Sequence, residues 1–170
     1  KDFGVRTFGM PENPGFLGVC FGCVITANSP ATQMPFPANW EAVLWHEFCH
    51  TVTLALTKNK MPRWLSEGIS VYEERQASPT WGQRMNPDFR EMILEGGLTP
   101  VGKLSGAFLS PPTPEHLQFA YYQSSLVVEH IVERFGHEAI RAILEKLAQG
   151  MKITLAIAQA VEPMEELEVA

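Results

Sequence analysis

Residues 40–56 constrain the fold of this chain more than any other part of its sequence. They run for 17 residues without glycine or proline, and Asn39 directly before them is a residue type that caps helix N-termini. Within them, apolar side chains recur at every fourth position, at Leu44, Phe48, Val52 and Leu56. This spacing predicts an α-helix that turns these four side chains into the protein core.

The same helix carries His46, Glu47 and His50. Residues four apart share a helix face, so His46 and His50 can bind one cation, and Glu47 can reach a water beside that cation without being a ligand. Three such groups in an apolar-rich helix would be costly to bury without partners. The pattern therefore favours a metal site over a surface helix with two solvated histidines.

A third ligand is needed, because a catalytic zinc usually takes three protein ligands and leaves one position open. We expect Glu67 to supply it. Glu67 follows His50 by 17 residues and lies in a second predicted helix, residues 63–76, after a turn marked by Pro62. Asp88 and Glu73 are alternatives with a less specific sequence context.

The remaining segments predict an α+β fold, with a small N-terminal β-sheet packed on a mainly helical body. Residues 1–36 are rich in glycine and proline, and the apolar run 16–26 predicts one or two strands broken by Gly18 and Gly22. Residues 78–115 are predicted to be mostly loop with one short helix. That short helix is expected at residues 87–95. Further helices are expected at residues 114–135, 137–149 and 154–160, with a last short one starting at Pro163.

Composition narrows the class of protein. The 170 residues, 45% of them apolar, are enough for one domain spanning 1–170, with residues 1–36 as its β-rich part and 37–170 as its helical body. A formal net charge of −6 argues against a nucleic-acid binder, and no apolar run is long enough for a membrane span. Cys20 and Cys23 form a C-x-x-C pair, but on an extended strand their side chains would point to opposite faces.

The motif at His46–His50, followed by Trp64-Leu-Ser-Glu-Gly-Ile-Ser-Val-Tyr-Glu-Glu74, resembles the gluzincin metallopeptidases. More narrowly it is similar to the peptidase MA-like domains of the aminopeptidase N and thermolysin-like superfamily. The resemblance implies a zincin-like fold and a Zn²⁺ ion held by His46, His50 and Glu67. It also implies an oxyanion-stabilising tyrosine at Tyr121, with Tyr122 and Tyr72 in reserve.

Two positions depart from the patterns of these families. Thermolysin-type enzymes carry an aspartate four residues after the third ligand to support a zinc-bound histidine, and this chain has Val71 there. Aminopeptidase N-like enzymes carry an upstream glutamate that grips the substrate amine. The nearest counterpart here is Glu12, in a proline-containing segment for which a plain loop is the preferred interpretation.

The resemblance implies a zinc-dependent peptidase acting on peptides or proteins. Glu47 would activate a water at the zinc, and Tyr121 would stabilise the oxyanion. Two alternatives stay open: a catalytically inactive zincin-like domain used in protein interaction or scaffolding, and a zinc hydrolase of non-peptide substrates. The chain is interpreted as a piece of a longer protein. Domains of the families that it resembles often sit beside tetratricopeptide-type repeats, which makes such repeats the expected flanking region. Relatives of this kind are often exported, for example to the bacterial periplasm, but the sequence leaves the compartment open.

Overall fold

A computed structural model describes residues 17–32, 34–35 and 37–161 of the chain. The Glu12 segment and the helix expected from Pro163 lie outside these residues. No helix in the described part of the chain has the length and apolarity required to cross a membrane. The described residues form a two-stranded antiparallel sheet followed by a body of helices, which confirms the predicted α+β class.

The sheet is a β-hairpin of two short strands. Strand β1, Gly18–Phe21, pairs with strand β2, Val24–Ala27, in a register that places Cys20 opposite Ile25. The apolar run is therefore broken at Gly22, which has a φ of +61° in the turn, as glycine readily allows. Gly18, the other predicted break, instead lies within β1.

Two helices position the candidate site. Helix α1, Trp40–Leu56, begins at Asn39, whose side-chain Oδ1 accepts hydrogen bonds from the backbone amides of Glu41 and Ala42 at 3.1 and 3.3 Å. Helix α2, Arg63–Ala77, begins after Pro62 and packs along α1. Both helices match the predicted segments to within one residue, because cap and proline signals mark their ends.

The later helices build the rest of the body. They are α3 (Pro87–Leu94), α4 (Leu104–Ala107), α5 (Pro114–Phe135), α6 (His137–Ala148) and α7 (Ile153–Ala160). The helices predicted between residues 40 and 160 all form, and the segment between α3 and α5 adds a 3₁₀ turn, Val101–Lys103, and α4, which the sequence did not predict. Val101 and Leu104 are buried there, so this stretch is part of the core rather than plain loop.

The main core lies between α2, α5, α6 and α7. Its fully buried side chains include Leu65, Val128, Ile131, Ile143 and Ile157. Helices α2 and α5 approach closely at Gly68, where an added Cβ would lie 2.6 Å from the backbone carbonyl oxygen of Ser124. This contact fixes α5, and with it Tyr121, against the helix that carries Glu67.

The predicted buried face of α1 is wrong. Leu44, Phe48, Val52 and Leu56 are between 37 and 58% exposed. The face of α1 that packs on α2 is instead the polar one, which carries His46 and His50. A regular apolar stripe specifies a helix, but the groups presented by the neighbouring helix decide which face is buried, and α2 presents glutamate and serine side chains.

Candidate metal centre

The packing of α2 on α1 brings two histidines and a glutamate together. The Nε2 atoms of His46 and His50 lie 3.1 and 3.2 Å from Oε2 of Glu67. The ligand atoms of these three residues all lie within 4.8 Å of one another, so the group could hold one metal ion. The histidine rings meet edge to face with centroids 4.7 Å apart, which directs both Nε2 atoms toward Glu67.

The outer nitrogen of each ring is also held. Nδ1 of His46 lies 2.5 Å from a carboxylate oxygen of Glu74, and Nδ1 of His50 lies 2.9 Å from Ser66 Oγ and 3.2 Å from Ser70 Oγ. Such partners fix ring orientation and the tautomer that leaves Nε2 available to a metal. All of them come from α2, so one helix supplies the third ligand and the supports of the other two.

The histidines and glutamates of this cluster shift one another's pKa values. Burial alone would lower the pKa of His46, but hydrogen bonds and charge from Glu67 and Glu74 more than offset burial and raise that pKa to about 10. For Glu67, burial would raise the pKa, but His46 and His50 prevail and hold it far below its ordinary range. Both shifts favour the charged forms, so Glu67 and His46 attract each other as an ion pair.

Glu47 lies beside this cluster and is buried at 8% exposure. Strand β1 passes directly over it: a Cβ on Gly18 would lie 2.8 Å from Glu47 Cγ and 2.9 Å from its Oε1. Burial is the largest influence on this carboxyl group and raises its pKa above the ordinary value, while the two histidines act in the opposite direction. A carboxylate with a raised pKa is a better proton acceptor than a solvated one.

Tyr121 is the tyrosine that lies at the cluster. Its ring centroid is 6.3 Å from that of His46, and it packs edge to face on Phe108 at 5.1 Å. Burial, followed by the charge of Glu67, raises its pKa, so the hydroxyl stays protonated at neutral pH. The two reserves lie elsewhere: Tyr122 stacks on Phe89, and Tyr72 packs against His137.

Arg63 also borders the cluster, from the first turn of α2. Its Nε lies 3.4 Å from Oε1 of Glu67, and its guanidinium lies 5.4 Å from the ring centroid of Phe108. Glu67 thus directs Oε2 toward the histidines and Oε1 toward Arg63. Arg63 and Glu67 are four residues apart in α2, so this ion pair forms within one helix.

The alternative third ligands lie outside the cluster. Glu73 faces the opposite side of α2 and lines a groove against α6, and Asp88 is exposed in the first turn of α3. Within the described ranges, neither belongs to a group of residues able to share a metal. Val71, where the thermolysin pattern has an aspartate, is fully buried in the core.

Glu74 is one of the site residues that sequence reasoning missed. It occupies the supporting role that Val71 cannot, because it lies seven residues after Glu67 and thus about two turns along the same face of α2. The spacing of seven residues between Glu67 and Glu74 was the signal available in the sequence.

Cys20 and Cys23 do not form a paired site. Both are free, Cys23 is exposed, and Cys20 Sγ lies 3.1 Å from Thr51 Oγ1.

Comparison with known proteins adds one positive finding. A family model described as the peptidase MA superfamily matches residues 32–163, which include α1, α2 and α5 with every candidate site residue. No curated protein and no solved structure is significantly similar to the chain.

Proposed function

The chain belongs to the peptidase MA superfamily, and from that premise we propose that it is a zinc-dependent metallopeptidase of the gluzincin type. Members of this superfamily are generally metal-dependent. One observation carries the proposal: the ligand atoms of His46, His50 and Glu67 come from two helices to within 4.8 Å of one another. The buried carboxyl group of Glu47 lies close enough for their charges to act on its pKa.

The donor set suits zinc. Two imidazole nitrogens and one carboxylate oxygen are a common ligand set of catalytic zinc, with a fourth position left open. Glu74, Ser66 and Ser70 hold the outer ring nitrogens, as supports of zinc-binding histidines do. When bound, a zinc ion would polarise the attacking water and the substrate carbonyl.

Glu47 would act as the general base. Its carboxylate would accept a proton from the attacking water and deliver that proton to the amine that leaves when the peptide bond breaks. Burial raises its pKa toward the range in which both transfers are feasible near neutral pH. Because Glu47 is not one of the three proposed metal ligands, its replacement would remove proton transfer while leaving those ligands in place.

Tyr121 would stabilise the negative charge that develops on the carbonyl oxygen. Its raised pKa keeps the hydroxyl protonated, and a hydroxyl must be protonated to donate a hydrogen bond to an oxyanion. One such donor typically contributes about 10²–10³ in rate. Its ring lies close to His46, whereas the rings of Tyr122 and Tyr72 contact other parts of the body.

Strand β1 offers a place for an extended peptide. It pairs with β2 along one edge, and no strand in the described part of the chain pairs with its other edge. Because Gly18 lies against Glu47, a peptide added to this edge by main-chain hydrogen bonds would run close to the proposed base.

The test measures metal content and cleavage together. The purified protein should contain close to one zinc per chain by mass spectrometry of the metal, and it should cleave members of a quenched fluorescent peptide library. We expect Glu47→Gln to retain the zinc and to lower cleavage by about 10²–10⁴-fold. Glu41→Gln, a change of the same kind at an exposed position of α1, should leave cleavage unchanged.

The outcomes separate the alternatives. Zinc without cleavage of any peptide, in both the unchanged protein and Glu47→Gln, would indicate a domain used for interaction. Cleavage of non-peptide esters or amides alone, lost in Glu47→Gln, would indicate a hydrolase of another substrate class. A protein that binds no zinc, or a Glu47→Gln variant with undiminished peptide cleavage, would overturn the proposal.

A further inference from the structure

The apolar stripe of α1 is exposed on the side of the helix that faces away from the metal centre. We define it as the six large side chains of this face, with exposures from 37 to 58%: Trp40, Leu44, Trp45, Phe48, Val52 and Leu56. With large side chains at about 150–250 Å² each, these fractions amount to roughly 600 Å² of apolar surface. That matches the largest contiguous patch normally found on a monomer, about 300–600 Å².

A groove runs directly beside the stripe. It lies between α1 and α6, with a floor from α2 and α5, and has a volume of about 690 Å³. Phe48, Val52 and Leu56 of the stripe form one wall, and Ile140 and Leu144 belong to the other. The apolar surface is therefore a ridge next to a groove rather than a flat patch.

The charges around the groove are balanced. Lys58 and Arg141 lie at its rim together with Glu73 and Glu145, so two cations face two anions. Arg141 already pairs with Glu145 at 3.1 Å. A rim of one sign would repel an identical rim, whereas a balanced rim can meet its own copy without like-charge repulsion.

We propose that the stripe and groove form the interface of a homodimer, with a second copy of this chain as the occupant. A two-fold axis presents the same surface from both copies, so the α1 ridge of each copy can enter the groove of the other. Stable interfaces bury about 800 Å² per partner. The stripe supplies most of that area and the walls of the groove supply the rest.

This arrangement does not involve the metal centre. The stripe and the ligands lie on different faces of α1, since His46 and His50 point to α2 while the stripe points away from the metal centre. The proposal is independent of catalysis, because it concerns a surface that touches neither Glu47 nor the metal ligands.

Sedimentation velocity and light scattering over nanomolar to high micromolar concentrations provide the test. The unchanged chain should shift from monomer to dimer as its concentration rises. Leu56→Lys places a charge in the ridge at a position that is already 58% exposed, so the monomer loses little packing there. We expect this variant to weaken the dimer by at least about tenfold, since a buried unpaired charge is costly.

A matched control is available on α7. Leu155 is a helical leucine of similar exposure, 54%, and lies outside the groove, so Leu155→Lys should leave the dimer unchanged. A chain that is monomeric at every concentration overturns the proposal. A dimer that survives Leu56→Lys, or that Leu155→Lys weakens equally, overturns it as well. Circular dichroism of each variant confirms that it is folded.

Discussion

The imidazole of His46 lies between two carboxylates, Glu67 at Nε2 and Glu74 at Nδ1. The two have different tasks in the proposed enzyme, because Glu67 would share the metal with the ring while Glu74 would hold the ring in place. A buried carboxylate on the far side of a ligating histidine also increases the basicity of that histidine. Glu74 is thus a positioning residue, with no contact to the reacting atoms.

Replacing Glu74 with glutamine should weaken zinc binding by about 10–100-fold, because the ring loses its charged support. The expected measurement is a competition titration against a chromophoric chelator. Glu73→Gln is the matched control, since the neighbouring glutamate lies on the other side of α2 and should leave zinc affinity unchanged. Equal losses in both variants would contradict the assigned role of Glu74.

Zinc binding should release a proton near neutral pH. The pKa of His46 is raised to about 10 in the metal-free protein, so the ring carries a proton on both nitrogens below that pH, and a metal ligand must lose the one on Nε2. Zinc affinity should therefore rise with pH, by about tenfold per unit between pH 6 and 8. Titration calorimetry in two buffers of different ionisation enthalpy measures the release, and identical heats would contradict it.

At the scale of single residues, the sequence predicted part of the candidate metal centre. His46 and His50 could be paired because helix geometry is local, and Glu67 could be added because the turn at Pro62 returns the chain beside them. The choice among Tyr121, Tyr122 and Tyr72 depends on how α5 packs against α2, which spacing within one helix does not determine. Ser66 and Ser70 were missed because serine carries no pattern of its own until a histidine faces it.

The crossing of α2 and α5 depends on a glycine. Gly68→Ala would place a methyl group 2.6 Å from a backbone oxygen of Ser124, and a helix must move to accommodate it. We expect a loss of about 1–3 kcal/mol in the free energy of unfolding, measured by urea denaturation. Metal affinity should fall less than in Glu74→Gln, because the ligands remain and Glu74 still holds the ring of His46.

Gly106→Ala provides the control for this substitution. Gly106 lies in α4, and its added Cβ would meet no atom within 4 Å. The same change there should stabilise the protein by about 0.4–1 kcal/mol, because alanine restricts the unfolded chain more than glycine does. The two substitutions should change the free energy of unfolding in opposite directions. Equal changes would show that the close contact at Gly68 is not the cause of the loss.

Helix boundaries could be predicted from the sequence, but the orientation of α1 could not. Asn39 and Thr113 accept hydrogen bonds from the first turns of α1 and α5, and Gly136 ends α5, so local signals located these ends. The apolar repeat of α1 is equally regular, yet it lies exposed. Burial of the polar face depends on complementary groups in α2, and no local signal reports them.

For the molecule as a whole, metal binding should increase stability. A ligand that binds only the folded state at 100 times its Kd adds about 2.7 kcal/mol, which for a chain of this size corresponds to roughly 5–10 °C in Tm. Differential scanning calorimetry with zinc and then with a chelator measures this shift. Glu67→Ala should abolish most of it, and an undiminished shift in that variant would place the metal elsewhere.

The close pass of β1 over α1 limits how this protein can vary. Every side chain larger than hydrogen at Gly18 would displace Glu47 or Val43. In a saturation library sorted for peptide cleavage, position 18 should tolerate glycine alone, while a library sorted only for folded protein should accept alanine or serine there. A strand residue without any reactive group would then be as strictly required for turnover as the proposed general base that lies against it.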